Sequence, residues 1–185
     1  MLRALSTSAW TLAELDRLPD DGNKYELIDG ALFVTPAPSP EHESLASHLL
    51  ERLVRYVSAQ GIGRVFTPRA VVRVDGSEVE PDIMVRPHTA SVPRTWLEAP
   101  IPLLVVEIAS RTTLRRDREQ KRAFYLRSGV AEYWIVDRWS RSIRVVRRDA
   151  QDDVTESVLE WRPDGASDAL RIDVAVYFDE ALGKR

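Results

Sequence analysis

Residues 103–110 read Leu-Leu-Val-Val-Glu-Ile-Ala-Ser, an apolar run with one carboxylate, Glu107, inside it. Such a run reads as the middle of a buried strand. A carboxylate there must meet a cation or take up a proton, because burying it unpaired costs several kcal/mol. The remainder of the chain is therefore obliged to bring a positive charge to Glu107.

Local signals divide the chain around that strand. Thr11 and Pro19 bound a short helix over 11–19. Residues 25–34 read as a hairpin turning on Asp29-Gly30. Ser39 followed by Pro40 starts a helix over about 40–60, and Gly61 ends it. On that helix Leu45, Ala46, Leu49, Leu53 and Val57 share one face, headed by His42, which reads as a core or capping histidine, with a pocket residue contacting phosphate as the alternative. Residues 63–74 form a strand pattern interrupted near Pro68, 79–85 form another, and 87–102 form a proline-bearing loop. A helix follows the central strand over about 113–128 and closes at Gly129. Residues 131–137 and 142–149 read as a strand pair, with Tyr133 and Trp134 in the core, and the tail from 154 alternates enough for one or two more strands. Two main helices on a mixed sheet, without a regular βαβα alternation, place the chain in the α/β (α+β) class. Its 185 residues suit one domain over 1–185.

The helix over 113–128 supplies the cation. At 3.6 residues per turn, Leu114, Asp117, Lys121, Phe124 and Tyr125 fall inside an arc of about 100°, while Arg115, Arg116, Glu119, Gln120, Arg122 and Arg127 lie off it. Lys121 thus sits on the inward stripe beside the strand that carries Glu107. Asp117, four residues earlier, is placed to pair with it. A buried Glu107–Lys121 pair barely repays its desolvation, so it is a poor device for stability alone. The alternative is that both side chains point into a polar pocket.

A further carboxylate, Asp82, follows Pro81 at the start of the apolar stretch Ile83–Val85, and Glu80 shares its side at a spacing of two. Two carboxylates from neighbouring strands can hold a magnesium ion, which polarises a phosphoryl oxygen. A lysine beside them can orient a water or neutralise developing charge. Composition narrows the chemistry in the same direction. The chain has no cysteine and three histidines, so a metal would be held mainly by carboxylates. No apolar run approaches the ~20 residues of a membrane span, and the first ten residues lack the apolar core of a secretion signal; with no disulfides, this fits the cytoplasm. Ser110 has no nucleophile-elbow surroundings. The net charge of −3 conceals residues 111–148, where 12 Arg and Lys face four acids, a net of +8 against −11 elsewhere. Such a segment either contacts a polyanion, through Arg115, Arg116, Arg118 and Arg122, or forms an arginine-rich solvated face.

Taken together, Glu-Pro-Asp at 80–82, Val-Val-Glu-Ile-Ala-Ser at 105–110, the run from Arg115 to Asp137 and Lys-Tyr-Glu-Leu-Ile-Asp-Gly at 24–30 resemble the Uma2 family within the PD-(D/E)xK restriction-endonuclease-like superfamily. The resemblance extends from about Thr11 to the late strands. It implies a restriction-endonuclease-like mixed β-sheet flanked by helices, and Mg²⁺-dependent (or Mn²⁺-dependent) cleavage of phosphodiester bonds in DNA by a protein that dimerises to cut both strands. It implies metal ligation by Asp82 and Glu107, with the Ile108 carbonyl as a further ligand. The superfamily's lysine two residues after the glutamate is Ala109 here; Lys121 matches the lysine that has migrated to the following helix in this branch. Glu26 matches an additional acid from an early element. The departure at 109 keeps a second reading open, a decayed nuclease fold that binds nucleic acid or a protein partner without cutting. Hydrolysis of another phosphoester is a third.

Overall fold

The computed structural model describes residues 9–184, so most of the segment read above for a secretion signal lies outside the described residues. The chain runs α1 (Leu12–Leu15), β1 (Lys24–Ile28), β2 (Ala31–Thr35), α2 (Pro40–Gln60), β3 (Gly63–Phe66), β4 (Val72–Val74), β5 (Ser77–Val79), β6 (Ile83–Pro87) and β7 (Leu104–Ala109). It continues through α3 (Leu114–Arg116), a π-helical turn (Asp117–Lys121), α4 (Arg122–Arg127), β8 (Glu132–Asp137), β9 (Ser142–Arg147), β10 (Asp153–Thr155), β11 (Val158–Trp161), β12 (Leu170–Asp173) and α5 (Val174–Leu182).

The main sheet has the order β10-β9-β8-β7-β6-β3, in which β7 and β8 are parallel and the other neighbours antiparallel. A mixed sheet flanked by helices is therefore the architecture. Every residue of β7 is buried. Strand alternation divides the core in two. On one face Ile83, Val85, Leu104, Val106, Ile108 and Trp134 pack with Leu45, Leu49 and Leu53 of α2 and Tyr177 and Phe178 of α5. On the other, Met84, Val105, Ala109, Tyr133 and Ile135 pack with Phe124 and Tyr125 and with Val72 and Val79. Glu107 belongs to this second face, under α3 and α4. The Ser39 hydroxyl accepts the His42 N–H and Gly61 ends α2 in the left-handed conformation, so both ends of that helix follow their sequence signals.

Four elements differ from the sequence reading. The strand expected over 79–85 is two strands in two sheets. β5 ends at Val79 in a four-stranded sheet of order β2-β1-β5-β4, and β6 begins at Ile83 in the main sheet. Pro81, which has no N–H to give a ladder, sits at the crossing between them. Asp75-Gly76, both at positive φ, make the β4–β5 turn that the reading of 63–74 as one interrupted strand passed over. The tail holds a helix as well as strands: Asp173 caps Val174–Leu182 by accepting the Val176 N–H, and Val174, Tyr177 and Phe178 are spaced for one buried face.

The fourth difference lies in the helix over 113–128. Its buried positions include Thr113, Asp117, Lys121 and Tyr125, spaced by four. At 3.6 residues per turn, each step of four overshoots by about 40°. The wider π turn at Asp117–Lys121 absorbs that drift and keeps these side chains in one line. Arg116, which regular helical spacing places off the stripe, is nevertheless buried, because β1 and β2 cover that side of the helix with Glu26, Phe33 and Thr35.

Candidate active site

Asp82 immediately precedes β6. Extending the register Ile83↔Val106 by one residue sets Asp82 opposite Glu107, and partners across an antiparallel pair point to the same face. Asp82, Glu107 and Lys121 all line one cavity of about 690 Å³, open between the N-terminus of α2, the β2–α2 loop and the C-terminal end of β7. Asp82 is 7% and Glu107 3% exposed. The cation required by Glu107 is the expected one. Lys121 Nζ lies 2.8 Å from Glu107 Oε1 and 2.8 Å from Glu26 Oε1, with Asp117 Oδ1 at 4.0 Å.

Glu26 reaches this point from β1, behind Lys121 and fully buried. Its Oε1 also accepts the Glu80 N–H at 3.2 Å, which ties the small sheet to the crossing. Its Oε2 lies 3.3 Å from an Arg116 nitrogen. The four residues singled out by sequence, Glu26, Asp82, Glu107 and Lys121, are thus brought together. The tyrosine and cations around them were not anticipated. Tyr125 donates its hydroxyl to Glu107 Oε1 at 2.7 Å. Lys24 Nζ lies 2.8 Å from Asp82 Oδ1, and the Ile108 N–H donates to Asp82 Oδ2 at 2.8 Å. His42 follows the alternative of a pocket residue rather than a core one: it lines the cavity and places Nε2 3.2 Å from Asp82 Oδ2. One signal for Lys24 was present in the sequence: it stands two residues before Glu26 in a strand and so shares its face.

The arginines expected on the DNA backbone are already engaged. Arg116 is buried, donating to the Thr35 hydroxyl, ion-paired with Glu26 and set over the Phe33 ring. Arg118 donates to Asp137, Arg122 to Asp152 and Arg115 to Glu119. Asp137 and Glu119 lie within the basic stretch itself, whereas Arg127, Arg138 and Arg141 pair, like Arg116 and Arg122, with acids outside it.

The charges in the site are unequally compensated. Burial pushes the Glu107 carboxyl up to about 7 even with Lys121 beside it, and Asp82 adds to the rise. Burial likewise raises Glu80 and Asp117. Burial opposes ionisation of Glu26, but Lys121, Lys24 and Arg116 hold it below the usual carboxylate value. Asp82 follows the same pattern, with Lys24 and His42 overcoming its burial. Lys121 stays charged because burial, which would lower it, is outweighed by Glu107, Glu26 and Asp117. One ammonium shared among three carboxylates is itself well stabilised but leaves each acid only partly neutralised. The cluster therefore retains a demand for positive charge.

Among the described residues no group of three or more His, Asp and Glu side chains is arranged to hold a metal. The available donors are Asp82, Glu107 and the backbone next to them. Glu107 Oε2 accepts no hydrogen bond among the described residues, whereas its Oε1 accepts two. Magnesium keeps several of its waters and is commonly held by one or two carboxylates, so this sparse oxygen set, with its unmet negative charge, fits that ion.

Comparison with known proteins agrees with the architecture. A family model, Uma2, described as "Putative restriction endonuclease", matches residues 12–175. A crystal structure of "a putative nuclease belonging to DUF820 from Anabaena variabilis ATCC 29413" superposes with a TM-score of 0.77 at 21% identity, over 94% of this chain and 99% of that one. At that identity the likeness establishes the fold. No curated protein matches the chain.

Proposed function

The chain belongs to the Uma2 family, and on that premise we propose that it is a metal-dependent endonuclease that hydrolyses phosphodiester bonds in DNA. The observation that carries the proposal is the pairing of Asp82 with Glu107 across adjacent strands, on one face and in one cavity, with Lys121 2.8 Å from Glu107. Asp82 and Glu107, with the Ile108 carbonyl, would hold Mg²⁺ or Mn²⁺. When bound, such an ion polarises the phosphoryl group and lowers the pKa of its water.

The side chains divide the remaining work. Lys121, held as an ammonium, cannot accept a proton; it donates hydrogen bonds that orient the attacking water and oppose charge building on the phosphate. Glu26 fixes Nζ from behind, and its second oxygen lies within ion-pair distance of Arg116. Tyr125 fixes the Glu107 oxygen that Lys121 also uses, leaving Oε2 toward the cavity. Asp117 supports Lys121 from one turn earlier. The cavity is closed on the strand side, where every residue of β7 is buried, and a DNA backbone would have to enter it from its open side.

The test is incubation of the purified chain with plasmid and single-stranded DNA in Mg²⁺, Mn²⁺ or EDTA. Metal-dependent nicking that disappears in Asp82→Ala and in Lys121→Met supports the reading. Nicking that persists in both variants would remove these residues from the mechanism. A non-cutting, nucleic-acid-binding domain is favoured by one observation, the engagement of both Asp82 oxygens by Lys24, His42 and Ile108. DNA binding without cleavage under every metal would decide for it.

A further inference from the structure

Lys24 occupies an unusual place for a lysine at the mouth of an acidic cavity. Its Nζ lies 2.8 Å from Asp82 Oδ1, and its side chain keeps 18% of its exposure. Asp82, Glu107 and Glu26 all act on it, and together they outweigh the effect of burial on its charge. Lys121, by contrast, is enclosed at 1% exposure between Glu26 and Glu107. The site therefore has one cation locked behind the carboxylates and another resting on Asp82 from the open side. Lys24 stands at the first position of β1, on a four-carbon stem whose rotamers can carry Nζ away without moving the strand.

We propose that Lys24 is a tethered counter-ion for Asp82, and that a divalent cation binding between Asp82 and Glu107 competes with it and displaces it. The inference rests on the metal reading given above. It accounts for the engagement of Asp82 without invoking a decayed site: the carboxylate is held paired and ordered until a stronger cation arrives. Once displaced, the ammonium faces the cavity, where a backbone phosphate oxygen is the group it can reach. An ordinary salt bridge behaves differently. Its ammonium would stay on Asp82 when the ion binds.

The competition is read by titrating Mn²⁺ into the full chain by calorimetry, without DNA. Lys24→Met and Lys24→Gln should bind Mn²⁺ about tenfold more tightly than the wild type, equivalent to about 1.4 kcal/mol. Lys24→Arg, which retains the charge, should not. If the wild type binds Mn²⁺ in an Asp82-dependent manner and the Met and Gln variants bind equally or more weakly, the metal site stands and the role of Lys24 is overturned. If neither wild type nor variants bind, both readings fall together. A measurement on the wild type alone covers the case in which the variants fail to fold. In Mn²⁺-soaked crystals Nζ should lie beyond 4 Å from Asp82 Oδ1 (the limit taken for an ion pair). A bound ion with Nζ still at hydrogen-bond distance, or no bound ion, refutes the competition.

Discussion

Replacing Lys121 with methionine keeps much of the side chain's length and volume and removes only the charge, so it measures what the buried ammonium does. Nζ makes two contacts of 2.8 Å, to Glu26 and Glu107. At an effective dielectric near 20 each is worth about 6 kcal/mol gross. Several kcal/mol of ammonium desolvation is set against that sum, and a buried pair broken on one side typically loses about 3–5 kcal/mol. Proton uptake limits the loss. Neutralising a carboxylate of ordinary pKa costs about 5 kcal/mol at pH 8 but only about 1 kcal/mol at pH 5. Lys121→Met is therefore expected to destabilise the metal-free protein by about 3–5 kcal/mol at pH 8 and by about 1–2 kcal/mol at pH 5. Urea denaturation in EDTA at the two pH values, with the slope checked for constancy, is the assay. Adding Glu107→Gln to the variant should recover part of the pH 8 loss, because the stranded charge is gone. A loss below about 1 kcal/mol at pH 8, or an equal loss at both values, would refute the claim that Lys121 neutralises two buried acids.

Other expectations follow from the same geometry. The Glu107 carboxyl, at about 7 in the folded protein, lies above its unfolded value, so the folded state binds the extra proton. Stability in EDTA should thus rise as pH falls from 8 toward 5, by up to about 3 kcal/mol from this group; a thermal-melt series in which Glu107→Gln shows the same slope as the wild type would contradict this. Tyr125→Phe removes the 2.7 Å hydrogen bond to Glu107 Oε1 and should cost about 1–3 kcal/mol by denaturant titration, whereas an unchanged midpoint would mean that the hydroxyl does not hold that oxygen. Gly30 has φ 78°, and a Cβ there would lie 2.8 Å from the Ala9 Cβ, so Gly30→Ala should lower the melting temperature by several degrees, the equivalent of about 1 kcal/mol or more; a stability equal to the wild type would show that the hairpin turn adapts.

The chain's local chemistry determined a good deal on its own. An apolar run around Glu107, a lysine on the inward stripe of the next helix and Asp82 after a proline sufficed to name three of the side chains that meet, because each breaks a strong local pattern; Glu26 was named only through the family resemblance. Helix α2 and the β1–β2 hairpin were equally readable, since Ser39, Gly61 and Asp29-Gly30 act through their own backbone geometry. What the tertiary structure decided was which charges neutralise one another. The small sheet packs β1 and β2 over Arg116, which helical spacing places off the inward stripe, and so buries it beside Glu26. The crossing at Pro81 sends β5 and β6 into different sheets and aims Asp82 at Lys24 and His42, residues 58 and 40 positions away. Pairings of that kind have no local signature, because the attraction between two charges depends on their separation in space and on the water excluded around them, and neither quantity is written in the spacing of residues along the chain.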